Sequence, residues 1–226
     1  MKIVVFSGAG VSQESGINTF RDIKNGLWYN YNVDDVATSN GWKKNREIVL
    51  EFHNMLRDKI KGKLPNSAHT YIAELEKEHD VTVITQNVDA LHEEAGSTKV
   101  LHLHGELNKC RSTSNHEIFD LDSIGVLNVG DKCPLGSQLR PHTVLFDEMP
   151  YNIDESASAL SEADILIVVG TSLSITYTIP LMIRSIKESC KIYYVDPDPS
   201  PHLEGPGVEV NYIREKATEG ISKIKL

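Results

Sequence analysis

Short, unbroken apolar runs alternate along the chain with stretches of helical period. Residues 3–6, 81–85, 100–103, 143–146, 165–169 and 192–195 have strand length, and several are rich in β-branched residues. A strand with one wet face alternates apolar and polar positions. Unbroken runs predict strands covered on both faces, as in a parallel sheet flanked by helices. Between them, 46–60 places Val49, Phe52, Leu56 and Ile60 on one helical face. A second helix is expected over 67–78, after Pro65-Asn66 and with Ser67 as a possible N-cap, and a third over 179–189.

The alternation predicts an α/β protein: a Rossmann-like parallel sheet with helices on both faces. Two regions interrupt it. Residues 28–61 hold a polar, Asn-rich loop and one helix, and 106–142 are rich in Ser, Gly, Asp and Asn with little periodicity. Both read as excursions that pack together into a small inserted lobe. The expected division is 1–27, 62–105 and 143–226 for a nucleotide-binding domain, with 28–61 and 106–142 for the lobe. A cleft between the lobe and the strand ends is the expected ligand site.

Composition narrows the partners. The chain has 226 residues, 40% hydrophobic and 24% charged, enough for one globular core with a small insertion. A formal net charge of −9 argues against nucleic acid as the main partner. No apolar run approaches the ~20 residues of a membrane helix, and the first stops at Ser7-Gly8, too early for a signal-peptide core. Cys110, Cys133 and Cys190 are odd in number and widely spaced, so a reducing, cytoplasmic setting is expected.

Candidate chemistry begins where the first strand runs into Ser7-Gly8-Ala9-Gly10-Val11-Ser12. A strand turning through glycines into a helix start aims backbone N–H groups and a positive dipole end at a phosphate. The strict dinucleotide fingerprint asks for a third glycine where this chain has Gln13, and a ligand-free tight turn would use the same Gly8 and Gly10.

The longer string from Gly8 through Gly16 to Arg21-Asp22 resembles the NAD-binding opening of the sirtuins, the NAD-dependent protein deacylases. Four further blocks resemble the same family in the same order: Thr85-Gln-Asn-Val-Asp-Ala-Leu-His-Glu-Glu-Ala-Gly96, Leu103-His-Gly-Glu106, Leu139-Arg-Pro-His-Thr-Val-Leu-Phe-Asp-Glu-Met-Pro150 and Gly170-Thr-Ser-Leu173. The likeness is to compact bacterial members. It implies removal of an acyl group from protein lysine, with nicotinamide and O-acyl-ADP-ribose as products. An NAD glycohydrolase, an ADP-ribosyltransferase or a non-catalytic NAD-binding module would share the nucleotide site.

The resemblance implies roles residue by residue. His104 is the base for a ribose hydroxyl, a task suited to an imidazole that titrates near neutrality. A strand-end histidine capping a carbonyl is the alternative, and His102, two residues earlier, is expected to be structural. Gln86 contacts ribose, Asn87 orders the reacting sugar or its water, and Asp89 recognises the nicotinamide amide. An Asn/Asp turn capping a helix accounts for one of these three on its own. Phe20 shields the reacting centre and Arg21 helps place the phosphates. The implied cofactor set also includes Gly8, Ala9, Gly10, Ser12, Gly16, Thr19, Val88, Gly170, Thr171, Ser172, Asp196 and Ala217. Asp196 stands where many sirtuins carry Asn, and Ala217 where a residue lies against adenine. Val144, Leu145 and Phe146 are implied to pair with the substrate backbone as a strand edge.

The chain also departs from the family. A zinc held by two Cys-x-x-Cys pairs is common there, but Cys110 and Cys133 have Thr113 and Gly136 three positions on. Structural zinc takes four Cys or His ligands, so no zinc is expected and the lobe is held by packing; His116 or His142 would be the Cys/His substitutes. Asp147 replaces a glycine, which either narrows the acyl-lysine tunnel or favours a basic peptide. Members that prefer succinyl or malonyl lysine carry Tyr-x-x-Arg where this chain has His53 and Leu56 in the implied acyl site. A preference for acidic acyl groups is therefore not expected.

Overall fold

The computed structural model describes residues 1–18, 31–121, 125–175, 177–200, 203 and 209–226. Six parallel strands form the main sheet: β1 (Lys2–Ser7), β2 (Asp80–Thr85), β3 (Val100–His102), β7 (Ile165–Val169), β8 (Lys191–Val195) and β9 (Val210–Ile213), in the order β3-β2-β1-β7-β8-β9. Alternate residues of each run face opposite cores. Ile3, Val5, Val83, Ile167 and Val169 meet Ala68 and Ile72 of α5 (Ser67–Leu75) and Ile221 near the C-terminus. Val4, Phe6, Ile84, Leu166 and Val168 face Leu160 of α7 (Ile153–Glu162) and Leu181 of α8 (Thr178–Ser185). Burial on both sides is why these strands lack alternation.

The second sheet is antiparallel, ordered β5-β4-β6, from β4 (Gly105–Ser112), β5 (Ile118–Asp120) and β6 (Leu139–Thr143). Helix α4 (Arg46–Ile60) lies on it, with Val49 and Leu50 among Cys110, Leu121, Leu127 and Leu139, and Phe52 and Leu56 against Leu107. Asn45 caps that helix by accepting from the Ile48 N–H, a contact worth about 1 kcal/mol.

Several expectations are corrected in detail. The strand expected over 143–146 is instead Leu139–Thr143. Pro141 lies within this strand; β6 is an edge strand and the register shifts between Glu106 and Cys110 beside the proline, which absorbs the missing donor. The cap of α5 is Asn66 rather than Ser67, and the helix stops at Leu75 rather than residue 78. The third helix is Thr178–Ser185, short of 189. The polar stretch before α4 holds α2 (Val33–Val36) and α3 (Ser39–Lys44), capped by Asn32 and Thr38. Both are too short for a hydrophobic period to reveal.

Candidate active site

Neighbouring strands β1 and β7 diverge into loops at their C-terminal ends, the crevice where parallel sheets place ligands. Gly8 and Gly10 are required there by close approach. A Cβ on Gly8 would sit 2.6 Å from Thr171 Cβ, and one on Gly10 would sit 2.8 Å from Gly170 Cα. Their N–H groups donate to the Val169 and Gly170 carbonyls. The two glycines therefore bind the turn to β7 rather than offer these amides to a phosphate, which corrects the simplest reading of the opening motif. Helix α1 (Ala9–Gln13) follows, and Glu14 at its end accepts from both N–H and hydroxyl of Thr218, tying it to α9 (Ala217–Gly220).

A cavity of about 350 Å³ opens over this crevice. It is lined by Ala9, Gly10, Gln86, Asn87, His104, Gly170, Thr171, Ser172, Asp196 and Ala217, all expected from the sequence. Gln13, Glu14, Ser174, Ile175, Pro197, Asp198 and Lys216 complete it and were not expected. Gln13 and Glu14 lie inside the Gly8–Gly16 string and Lys216 is next to Ala217, so proximity was the available signal. The orienting contacts are specific: Thr171 Oγ1 donates to Gln86 Oε1 at 2.8 Å, and Asn87 Nδ2 donates to Ser12 Oγ at 3.0 Å and the Gly8 carbonyl at 3.2 Å. Such a cradle, with small residues at the turn and carboxylate and amide groups at the strand ends, fits a dinucleotide.

Ser12, Asn87, Val88 and Asp89 border a narrow pocket of about 20 Å³ behind it. Burial is the main influence on Asp89 and raises its pKa, opposed by hydrogen bonds from the Leu91 N–H and Ser12. Gly16, at φ +82°, lies beside Lys63 and lines neither the nucleotide cavity nor the narrow pocket. Thr19, Phe20 and Arg21 lie outside the described residues.

His104 sits between the two sheets. It follows β3 and precedes Gly105, whose φ of +78° turns the chain directly into β4. His104 Nδ1 donates to the Gln86 carbonyl at 2.8 Å. Burial lowers its pKa, and the Gln86 bond partly opposes that, so the ring is neutral near pH 7 with its lone pair on Nε2. His102 is structural, as expected: it bonds the Asn87 carbonyl and pairs with Glu93 at 2.8 Å.

On the other side of His104 is a cavity of about 480 Å³ lined by His53, Leu56, Val144, Leu145 and Phe146 as anticipated, and by Phe52, Val88, Leu107, Thr143, Glu148 and Tyr177. Tyr177 carried no sequence signal; only the tertiary fold brings it here. His53 is held neutral by burial, its pKa lowered to about 4, with Nδ1 donating to the Val49 carbonyl and Nε2 accepting from Thr143. Glu148 is the one carboxylate of this lining among the described residues, and Arg140 and Arg111 both donate to it. Asp147 is not in the lining; its carboxylate accepts from the Ser39 N–H at 2.8 Å, so nothing in the cavity is narrowed by it.

Among the described residues, the donors around the antiparallel sheet do not suit zinc. Cys133 Sγ faces Ser112 Oγ at 3.3 Å, and Cys110 is buried among apolar side chains. One thiol beside hydroxyls is not a structural zinc set. Among the described residues Glu93, His102 and Glu106 are grouped closely enough to hold a cation. There Lys109 pairs with Glu106 and His102 with Glu93, so internal partners already balance the charge.

The "Sir2 family" model matches residues 8–177, from the glycine turn to Tyr177. The chain belongs to the Sir2 family. An NAD-dependent protein deacylase of Aggregatibacter actinomycetemcomitans is 43% identical over 197 residues, 87% of this chain and 93% of its own length. Another so named, from Bacteroides thetaiotaomicron, is 40% identical over 228 residues, 99% of this chain and 96% of its own. Among solved structures, a Sir2 homologue in complex with NAD has a TM-score of 0.82 at 36% identity, covering 98% of this chain and 86% of that one. A Sir2 complex with deacetylated p53 peptide and 3'-O-acetyl ADP-ribose has a TM-score of 0.77 at 26% identity, covering 96% and 89%. Asp196 and Ala217 of this Sir2-family chain lie beyond the matched span yet line the same cavity.

Proposed function

We propose that this chain is an NAD-dependent protein-lysine deacylase that releases nicotinamide and O-acyl-ADP-ribose. The observation that carries the reading is His104, shared by a polar cavity suited to a dinucleotide and an apolar cavity suited to an acyl-lysine. Bound NAD supplies the nicotinamide–ribose bond whose cleavage drives the acyl transfer. His104 takes the ribose hydroxyl proton on Nε2, and its Gln86 bond fixes the tautomer. Gln86, oriented by Thr171, and Asp196 bind ribose hydroxyls, while Asn87 is aimed by Ser12 and Gly8 toward the reacting sugar. Asp89, inclined by burial to keep its proton, recognises the carboxamide of nicotinamide. Ala217 lies against the adenine. The partner is an acyl-lysine protein or peptide whose backbone runs along Val144 to Phe146.

The acyl cavity favours neutral chains. Among the described residues its lining offers neutral His53 and a carboxylate, with no cation to meet a succinyl group. Burying an unpaired carboxylate costs several kcal/mol. Mass spectrometry of products from acetyl-, butyryl- and succinyl-lysine peptides tests this. Neutral acyl groups should reach ADP-ribose, with succinyl transferred at least about tenfold more slowly. His104→Ala should abolish transfer while NAD binding persists by calorimetry. NAD loss at the same rate with and without peptide would instead identify a glycohydrolase.

A further inference from the structure

The lone pair on His104 Nε2 is not open. Tyr177 Oη lies 2.6 Å from it, and with Nδ1 donating to Gln86 the phenol must be the donor. The rings meet edge-on, 6.1 Å between centroids and 89° between planes. Both nitrogens of the base are thus satisfied before any substrate arrives.

Tyr177 comes to the base from one side only. It lines the apolar cavity and not the nucleotide cavity, whereas His104 and Gln86 line both. Upstream, Gly170 at φ +60° and Leu173 at φ +54° turn the chain back across the end of β7. Leucine rarely adopts that conformation, and here full burial and a bond from its N–H to Thr171 Oγ1 at 3.2 Å hold it. A buried tyrosine hydroxyl usually finds some partner. Here the partner is the one atom the proposed reaction needs unprotonated.

We propose that Tyr177 is a positioning residue for the base: before nucleotide binds, its hydroxyl occupies Nε2 in place of the ribose hydroxyl, and it yields that nitrogen when the ribose enters from the opposite cavity. The identity of the incoming hydroxyl rests on the deacylase reading; the Tyr177 contact does not. Nε2 accepts one hydrogen bond before and after the exchange, so the ring keeps its orientation. The released phenol faces the acyl cavity, where an acyl-lysine carbonyl can accept from it.

Among the described residues, Gln86 and Tyr177 are the groups bonded to the ring. The titratable or charged side chains of the two linings are His53 and Glu148 on the acyl side and Glu14, Asp196, Asp198 and Lys216 on the nucleotide side. Among the described residues, Tyr177 is the titratable side chain hydrogen-bonded to the ring.

The test is titration of the His104 ring by NMR in histidine-labelled protein, its signals assigned by their loss in His104→Gln. Without nucleotide, Tyr177→Phe should raise the titration midpoint, because the neutral ring loses a donor. With saturating ADP-ribose the two proteins should titrate together. In turnover, the acidic limb of kcat/KM should move up in pH while that of kcat stays, since these report free and bound enzyme respectively. Identical midpoints in the nucleotide-free proteins would overturn the proposal, as would a difference that ADP-ribose leaves intact. Should Tyr177→Phe not fold, fluorotyrosine-labelled wild type serves: its Tyr177 resonance must move on adding ADP-ribose, and an unmoved one rules the exchange out. Failure of the deacylase reading is seen separately, as absence of acyl transfer in the product assay.

Discussion

Buried histidines give the chain a pH dependence that can be argued one ring at a time. His53, His69 and His142 are buried, and desolvation lowers each pKa from 6.5 to about 4. Above pH 6.5 these rings are neutral in both folded and unfolded chains and cost nothing. Between 6.5 and about 4 only the unfolded chain takes up the protons, so stability is lost as pH falls. For His53 alone the loss is on the order of 3 kcal/mol. His102 acts in the opposite sense. Its pKa is raised, against burial, by its bond to Glu93, so its contribution is full at low pH and fades as pH rises. His92 and His104 are lowered by burial as well, so the depressed rings outweigh the one raised. Urea denaturation should show stability falling steadily from pH 6.5 to 4.5; a level or rising profile would mean these rings are protonated in the folded state.

At the scale of elements, the crossing from β3 to β4 places the base between two sheets, and it depends on Gly105. A Cβ there would lie 2.0 Å from the His142 carbonyl oxygen, and the residue is already at φ +78°. Gly62 has a similar φ of +73° with nothing within 4 Å. The pair separates conformational strain from collision. Gly62→Ala should cost about 1–2 kcal/mol, the left-handed penalty alone. Gly105→Ala should cost more than about 3 kcal/mol and abolish activity, because the strands must part to admit the methyl group. Thermal denaturation of both variants checks this, and equal losses would place the constraint in φ rather than in packing.

For the molecule as a whole, the question is what holds the antiparallel sheet to the segment bordering the acyl cavity. Glu148 is the centre of a cluster: Arg140 donates to it at 2.6 and 3.1 Å, Arg111 at 3.3 Å, and the Leu145 N–H at 3.0 Å. Arg140 and Arg111 also lie over the rings of Trp42 and Tyr151, which joins α3, β4 and β6 to the segment bordering the acyl cavity. Removing one member of a buried ion cluster strands the others and typically costs 3–5 kcal/mol. With Glu148 partly open to solvent, Glu148→Ala should cost about 2–3 kcal/mol. Chelator should leave the melting temperature unchanged, and a drop on adding EDTA would show a metal after all.

The parallel sheet was legible in the sequence because burial on both faces writes itself as unbroken apolar runs, and helix α4 because its buried face recurs every turn. The motif strings also brought His104, Gln86, Asn87 and Thr171 to one crevice, since each adjoins a strand end and strand ends converge. Other features depended on contacts between distant segments. The edge strand through Pro141 exists because a register shift absorbs the proline, the helices α2 and α3 because single side chains cap them, and the contact of Tyr177 with His104 because two left-handed residues fold the chain back. Local pattern reports which face of an element is buried; it does not report which atom from 73 residues away fills a given lone pair, because that is decided by how the elements pack.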